Sequence, residues 1–242
     1  MYISKKDWTA FVNRLSAINS KAGDAVREYI TKVGMTDINA FIRYCYQTAN
    51  HYGTASAALT ALMYDTIAHL EGLNLPEAEL ADGPTYGDVA KAIHGTLKTS
   101  ENAEELSGAI ERLVKMVGQD TLLKNGLRDG AEFAWIPMGD TCAFCQILAS
   151  RGWQGASKAA IKNGHATHIH SHCDCTYMVR HRPDFDVRGY DPGKYLEKYE
   201  NASDGDWKAK MRAMRREDYA ARKDEINAQK RAAYAQRKEA GG

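Results

Sequence analysis

The chain has 242 residues, 44% of them hydrophobic and 26% charged, with a formal net charge of +1, the balance of a folded globular protein and not of a disordered one. No apolar run approaches the roughly 20 residues needed to span a bilayer, which argues against a transmembrane helix and a membrane partner. The opening MYISKKDWTAFV lacks an apolar stretch and a small-residue cleavage site, so no secretory signal is expected and a reducing, intracellular setting is the default.

The near-neutral total hides an asymmetry. From Trp207 onward 11 Lys and Arg stand against 5 Asp and Glu, net +6, which leaves −5 on the first 206 residues. A basic arm on an acidic body is a pattern of proteins that meet nucleic acid or an acidic partner, and also of an exposed, salt-bridged helix.

In chain order, apolar residues recur at spacings of three and four over 7–17, 24–33, 37–51, 54–70, 86–97 and 101–117, which predicts helices there. Gly34, Gly53, Gly72 and Gly118 stand where such helices would stop. Leu59, Leu62, Met63, Ile67 and Leu70 form one stripe expected to pack on a neighbouring helix. His69, beside it, reads as a core or boundary residue, and Cys45 as a small core residue.

After Gly126 the texture changes. Short β-like pieces at 131–136, 167–169 and 176–180, between turn-rich stretches, predict a small α+β module. Beyond Pro192 a helical pattern resumes, and 206–239 is dense in strong helix formers with few apolar positions, a long exposed helix in need of a partner. The expected fold is mainly α: a helical domain over 1–128, a zinc-stabilised α+β module over 129–191, and a helical, basic tail over 192–242. No internal repeat stands out.

Four of the five cysteines fall in two tight pairs, Cys142 with Cys145 and Cys173 with Cys175, and the second pair ends the run HATHIHSHCDC. A Cys-x-x-Cys turn lets two thiolates converge on one ion, and a second pair some 30 residues later completes tetrahedral coordination, so structural Zn2+ is the favoured reading. Alternate residues of a strand face the same way, which separates His168, His170 and His172 from Cys173 and Cys175. Either Cys142, Cys145, Cys173 and Cys175 bind the metal, or a turn near Ser171 and His172 lets His170 join one late cysteine.

Catalytic readings are weaker. His69-Leu-Glu71 and Cys142-Ala-Phe-Cys145 mimic a zinc deaminase, but four residues part Pro137 from Cys142 and the late cluster is left unexplained. There is no GxSxG, HExxH or GxxxxGK[ST] sequence. No catalytic residue and no enzyme activity are expected; the alternative is a zinc-supported nuclease or other hydrolase.

The order Asp140-Thr-Cys142-x-x-Cys145, Leu148-Ala-Ser-Arg-Gly152, then His170-x-His172-Cys173-x-Cys175-Thr176 resembles the C-terminal module of the phage Mu F-like minor head proteins, nearest the minor capsid proteins of tailed phages of actinobacteria. TASAALTALMYDTIAHLEGL followed by LPEAEL is similar to the Ala-rich helix of that group, with Met63 in place of a Trp. The resemblance implies a minor capsid protein inside the head near the portal vertex, made in the host cytoplasm. Its implied partners are the portal protein, the major capsid protein and packaged double-stranded DNA; its implied work is head assembly, DNA packaging or ejection. It also implies a late ligand set of His170, Cys173 and Cys175. Within the tail, Arg212, Arg215, Arg216, Arg222, Lys223, Lys230 and Arg231 are the candidates for DNA phosphates, with interspersed acids arguing for weak binding. Docking of this helix on the portal, or self-association through it, is the competing expectation.

Overall fold

The computed structural model describes residues 1–138, 141–157 and 175–240. The chain is mainly helical with small sheets, and it divides into two compact units, Met1–Gly139 with Trp153–Tyr190, and Asp140–Gly152 with Asp191–Gly242.

The first unit is built on α1 (Lys5–Lys32), α2 (Ile38–Leu70), α3 (Tyr86–Leu97) and α4 (Ala103–Asp129). Each starts where a short polar side chain fills an orphan backbone donor. Ser4 Oγ accepts from Asp7 N at 3.1 Å, Asp37 Oδ1 from Asn39 N and Ala40 N at 3.0 Å each, and Asn102 Oδ1 from Glu104 N at 2.9 Å. Thr85 and Asp88 form a reciprocal capping box on α3. Val26, Phe41, Ile42, Cys45, Ala49, Val89, Ile93, Leu106, Ile110 and Leu113 make a common buried core. Burial pushes the Cys45 thiol up to about 12, as suits an inert core residue.

Two expected helix stops are not stops. Gly34 (φ 81) and Gly72 (φ 68) follow α1 and α2 in the left-handed conformation that ends a helix, but α2 runs through Gly53 and α4 through Gly118. A side-chain carbon at Gly53 would lie 3.1 Å from Val117 Cγ2, and one at Gly118 2.5 Å from Ser56 Oγ. These glycines are set by the close approach of α2 and α4. Gly23, where α1 continues without the break expected between 17 and 24, sits likewise against Glu111 of α4.

The leucine stripe is also corrected. Leu62 is 62% and Leu70 41% exposed, while Gly53, Ser56, Ala57, Thr60, Ala61, Tyr64, Ile67 and Ala68 are buried. Small residues let α4 come close, so the inward face of α2 is the small-residue face with Tyr64 and Ile67. His69 is exposed.

Strands complete this unit. β1 (Tyr2–Ile3) pairs in parallel with β5 (Asp186–Val187). β2 (Glu132–Ile136) is the centre of an antiparallel sheet, between β3 (Gln154–Gly155) and β4 (Thr176–Arg180). Phe133 lies opposite Val179 and Ala134 opposite Met178. The helix-to-sheet transition is made at Gly130 (φ 69), the left-handed cap of α4. The predicted strand at 167–169 lies outside the described residues.

The second unit consists of α5 (Ala143–Ala149), α6 (Pro192–Asn201) and α7 (Trp207–Ala240). Ala143, Ile147 and Met214 are buried together, with Tyr199, Ala202 and Met211 packed around them. Among the described residues no helix is long and apolar enough to cross a membrane.

Candidate functional site

Cys142 is the N-cap residue of α5 and its thiol does not cap the helix; Cys145 lies one turn further on. The two residues are one turn apart, a spacing that can offer both thiolates to one ion. Cys145 is buried and Cys142 partly exposed. The helix that carries them is fastened from behind: Gln146 Nε2 donates to Thr141 O at 2.7 Å and to Asp218 Oδ2 at 3.1 Å, and Asp218 Oδ1 accepts from Lys198 Nζ at 2.7 Å. One carboxylate of α7 thus ties α5 to α6.

Cys175, 2% exposed, immediately precedes β4. His170 and Cys173 lie outside the described residues, as do His165, His168 and His172. Among the described residues no group of three or more His, Cys, Asp or Glu side chains is gathered to hold a metal ion.

Of the predicted phosphate contacts, Arg212, Arg215, Arg216, Lys223 and Arg231 are exposed on α7, and Arg222 is half-buried with Nε 3.9 Å from Glu225 Oε2. The Lys230 side chain lies outside the described residues.

A third cluster was missed by sequence reasoning. Glu71, 1% exposed, closes α2. Its carboxylate accepts from His181 N at 2.9 Å and 3.1 Å, from Arg182 N at 2.8 Å, and from His181 Nδ1 at 2.7 Å. On the other side of the ring, His181 Nε2 is 3.0 Å from the Tyr64 hydroxyl, which donates to Asp129 Oδ2 at 2.6 Å. Arg128 grips both Asp129 oxygens, at 2.8 Å and 2.7 Å. A phenol has one hydrogen. With that hydrogen directed at Asp129, the Tyr64 oxygen is placed to accept from the His181 ring.

The electrostatics follow from burial and bonding together. Burial pushes the Glu71 carboxyl up, but the hydrogen bonds from His181 and the Arg182 backbone outweigh it, and its pKa lies below the usual value. The Arg128 guanidinium holds Asp129 low against its own burial. Burial and the adjacent Asp129 push the Tyr64 hydroxyl up. This network joins the ends of α2, α4 and β4. It is closed to substrate, because Tyr64 is fully buried and the side chains of His181 and Glu71 are 7% and 0% exposed. The Glu of the deaminase-like His69-Leu-Glu71 is therefore committed to the fold.

The fold is that of a mainly helical protein with small sheets, its helical core stapled to a sheet by a buried carboxylate. Within that class the chain belongs to the family described as VG15 protein, a viral gene protein family, whose model matches residues 2–202. No curated protein and no solved structure matches it. The matched segment contains α1 to α6 and the five described strands; α7 lies beyond it.

Proposed function

We propose that the chain is a minor head protein of a tailed phage, housed inside the capsid near the portal vertex and working in head assembly, DNA packaging or ejection. The observation that carries this reading is membership of a viral protein family over residues 2–202; the Mu F-like order of cysteines and histidines narrows it to the head. Its partners are the portal protein, the major capsid protein and packaged duplex DNA. The role is structural and without turnover. In support, the Glu71–His181 pair is buried and bonded to backbone.

Structural Zn2+ belongs to the same reading. Cys142 and Cys145 would supply two ligands, and two of His170, Cys173 and Cys175 the others, a sulfur-rich donor set suited to zinc. The ion would add folding energy by closing the loop between the two cysteine pairs.

Two measurements test these statements separately. Heads assembled with and without the gene decide the first: the protein should co-purify with portal and capsid, and its absence from purified heads rejects the reading. Metal analysis of purified protein decides the second. About one zinc per chain is expected, and Cys142→Ser should abolish it and lower the melting temperature by about 5 °C or more. Near-zero zinc with normally titrating thiols rejects the metal site.

A further inference from the structure

The charges of α7 are mixed along the sequence but sorted around the helix. At 3.6 residues per turn, Lys208, Arg212, Arg215, Arg216, Arg222 and Lys223 share an arc of about 120° with Tyr219 near its middle. Ala213 and Met214, at 6% and 0% exposure, point the other way, toward α5 and α6. The acids Glu217, Asp218, Asp224 and Glu225 all lie about 100° or more from the centre of the basic arc, and Asp218 is occupied by Lys198 and Gln146. Lys208, Arg212, Arg215, Arg216 and Lys223 are exposed, and Tyr219 is 48% exposed. Among the described residues Arg212, Arg215, Arg216 and Lys223 make no ion pair. Of the interspersed acids that argued for weak binding, Glu225 reaches the edge of the arc, 3.9 Å from Arg222 Nε, and Glu217 and Asp224 face away.

We infer that this arc of α7 is a sequence-independent binding surface for duplex DNA. The inference rests on the head-interior reading for the presence of DNA, and assigns the contact to a helix outside the family-matched segment. A duplex carries one negative charge per about 1.7 Å of its axis, a line of charge that a line of cations some 22 Å long complements. Four of the six cations are arginines, whose planar fork suits phosphate oxygens, and the Tyr219 hydroxyl adds a phosphate donor. No Asn or Gln stands between Lys208 and Lys223 to read adenine edges, which favours backbone contact. An anionic membrane would require an apolar face beside the basic one; α7 has acids and packed residues there.

Fluorescence anisotropy of the full-length protein with two unrelated 30-base-pair duplexes tests the surface. Equal affinity for both is expected, with a log-log salt slope of about −5 for six phosphate contacts. Arg212→Glu, Arg215→Glu and Arg216→Glu together should weaken binding at least tenfold and bring the slope to about −3, with an unchanged melting temperature because all three side chains are exposed. Lys5→Glu, Lys6→Glu and Lys98→Glu, an equal charge change on the first unit, should cost less than threefold. The surface is overturned by no binding at 50 mM salt, by full binding in the α7 triple variant, by equal loss in the control, or by phosphatidylserine vesicles binding where the duplexes do not. Incorporation into heads is scored separately. Intact incorporation without DNA binding overturns the surface alone, and intact DNA binding without incorporation overturns the head reading alone.

Discussion

Glu71 is the residue on which the local charge balance turns, since a buried carboxylate survives only with its lone pairs filled. Glu71→Ala leaves two backbone N–H groups and a ring nitrogen without acceptors, and should destabilise the protein by about 3–5 kcal/mol in urea titration. Glu71→Gln, which keeps one acceptor oxygen, should cost about 1–3 kcal/mol. Tyr64→Phe should cost about 1–2 kcal/mol, from one lost donor to Asp129 and one lost acceptor for His181.

The pH dependence has two opposed parts. Glu71 and Asp129 have lowered pKa values in the folded chain, so their stabilisation is present above the unfolded values and is lost as pH falls through the folded ones. Asp120 is the reverse, because burial pushes its carboxyl up to about 6. Its ionisation opposes folding at neutral pH, and that penalty fades as pH falls from about 6 toward 4. Stability measured by denaturation should therefore rise slightly from pH 7 to about 5 and fall below about 4. Asp120→Asn should add about 1–3 kcal/mol at pH 7 and remove the rise. At this scale sequence was a poor guide. Glu71 is visible as part of His69-Leu-Glu71, but its partner His181 lies 110 positions away and no spacing rule connects them.

Among the elements, glycine separates two kinds of position. Gly95, in α3, has open space where a side chain would go, so Gly95→Ala should stabilise by up to about 1 kcal/mol through helix propensity. Gly118 faces Ser56 and Thr60 across the α2–α4 contact, and Gly118→Leu should destabilise by about 1–3 kcal/mol through overpacking. Thermal melts of both variants check the contrast, which disappears if Gly118 is merely a poor helix former. Periodicity was sufficient to find α3 and β4 at their observed bounds, since both are short, capped or β-branched segments flanked by turns. It failed on α2, where helix pattern and glycine gave the same local signal for two different causes. The leucine stripe misled for a related reason: size favours leucine as a core residue, but closeness of two helices favours Ser, Ala and Gly.

At the scale of the molecule, the two units differ in how much apolar surface holds them. Among the described residues, the first has a ten-residue buried cluster across four helices, the second a cluster of three with the Gln146–Asp218–Lys198 tie. Amide hydrogen exchange should therefore show α5 to α7 opening at lower free energy than the core of α1, α2 and α4; equal protection in both would contradict this ranking. The proposed zinc would raise protection in α5 above that baseline, and a chelator would return it.

Composition, helical periodicity and the paired cysteines were enough to determine a mainly helical chain, short strands at 131–136, observed from 132, and at 176–180, and a phage-type order of motifs. Each of these rests on signals carried within a few residues. Tertiary structure alone decided that α2 and α4 meet on glycine and serine, that Glu71 closes on His181, and that residues 140–152 group with the C-terminal helices. It also decided which face of α7 is covered, since Ala213 and Met214 are buried while the basic arc stays on the surface. These contacts depend on which surfaces come within a few ångströms after the chain has folded back on itself, a distance that residue order does not record.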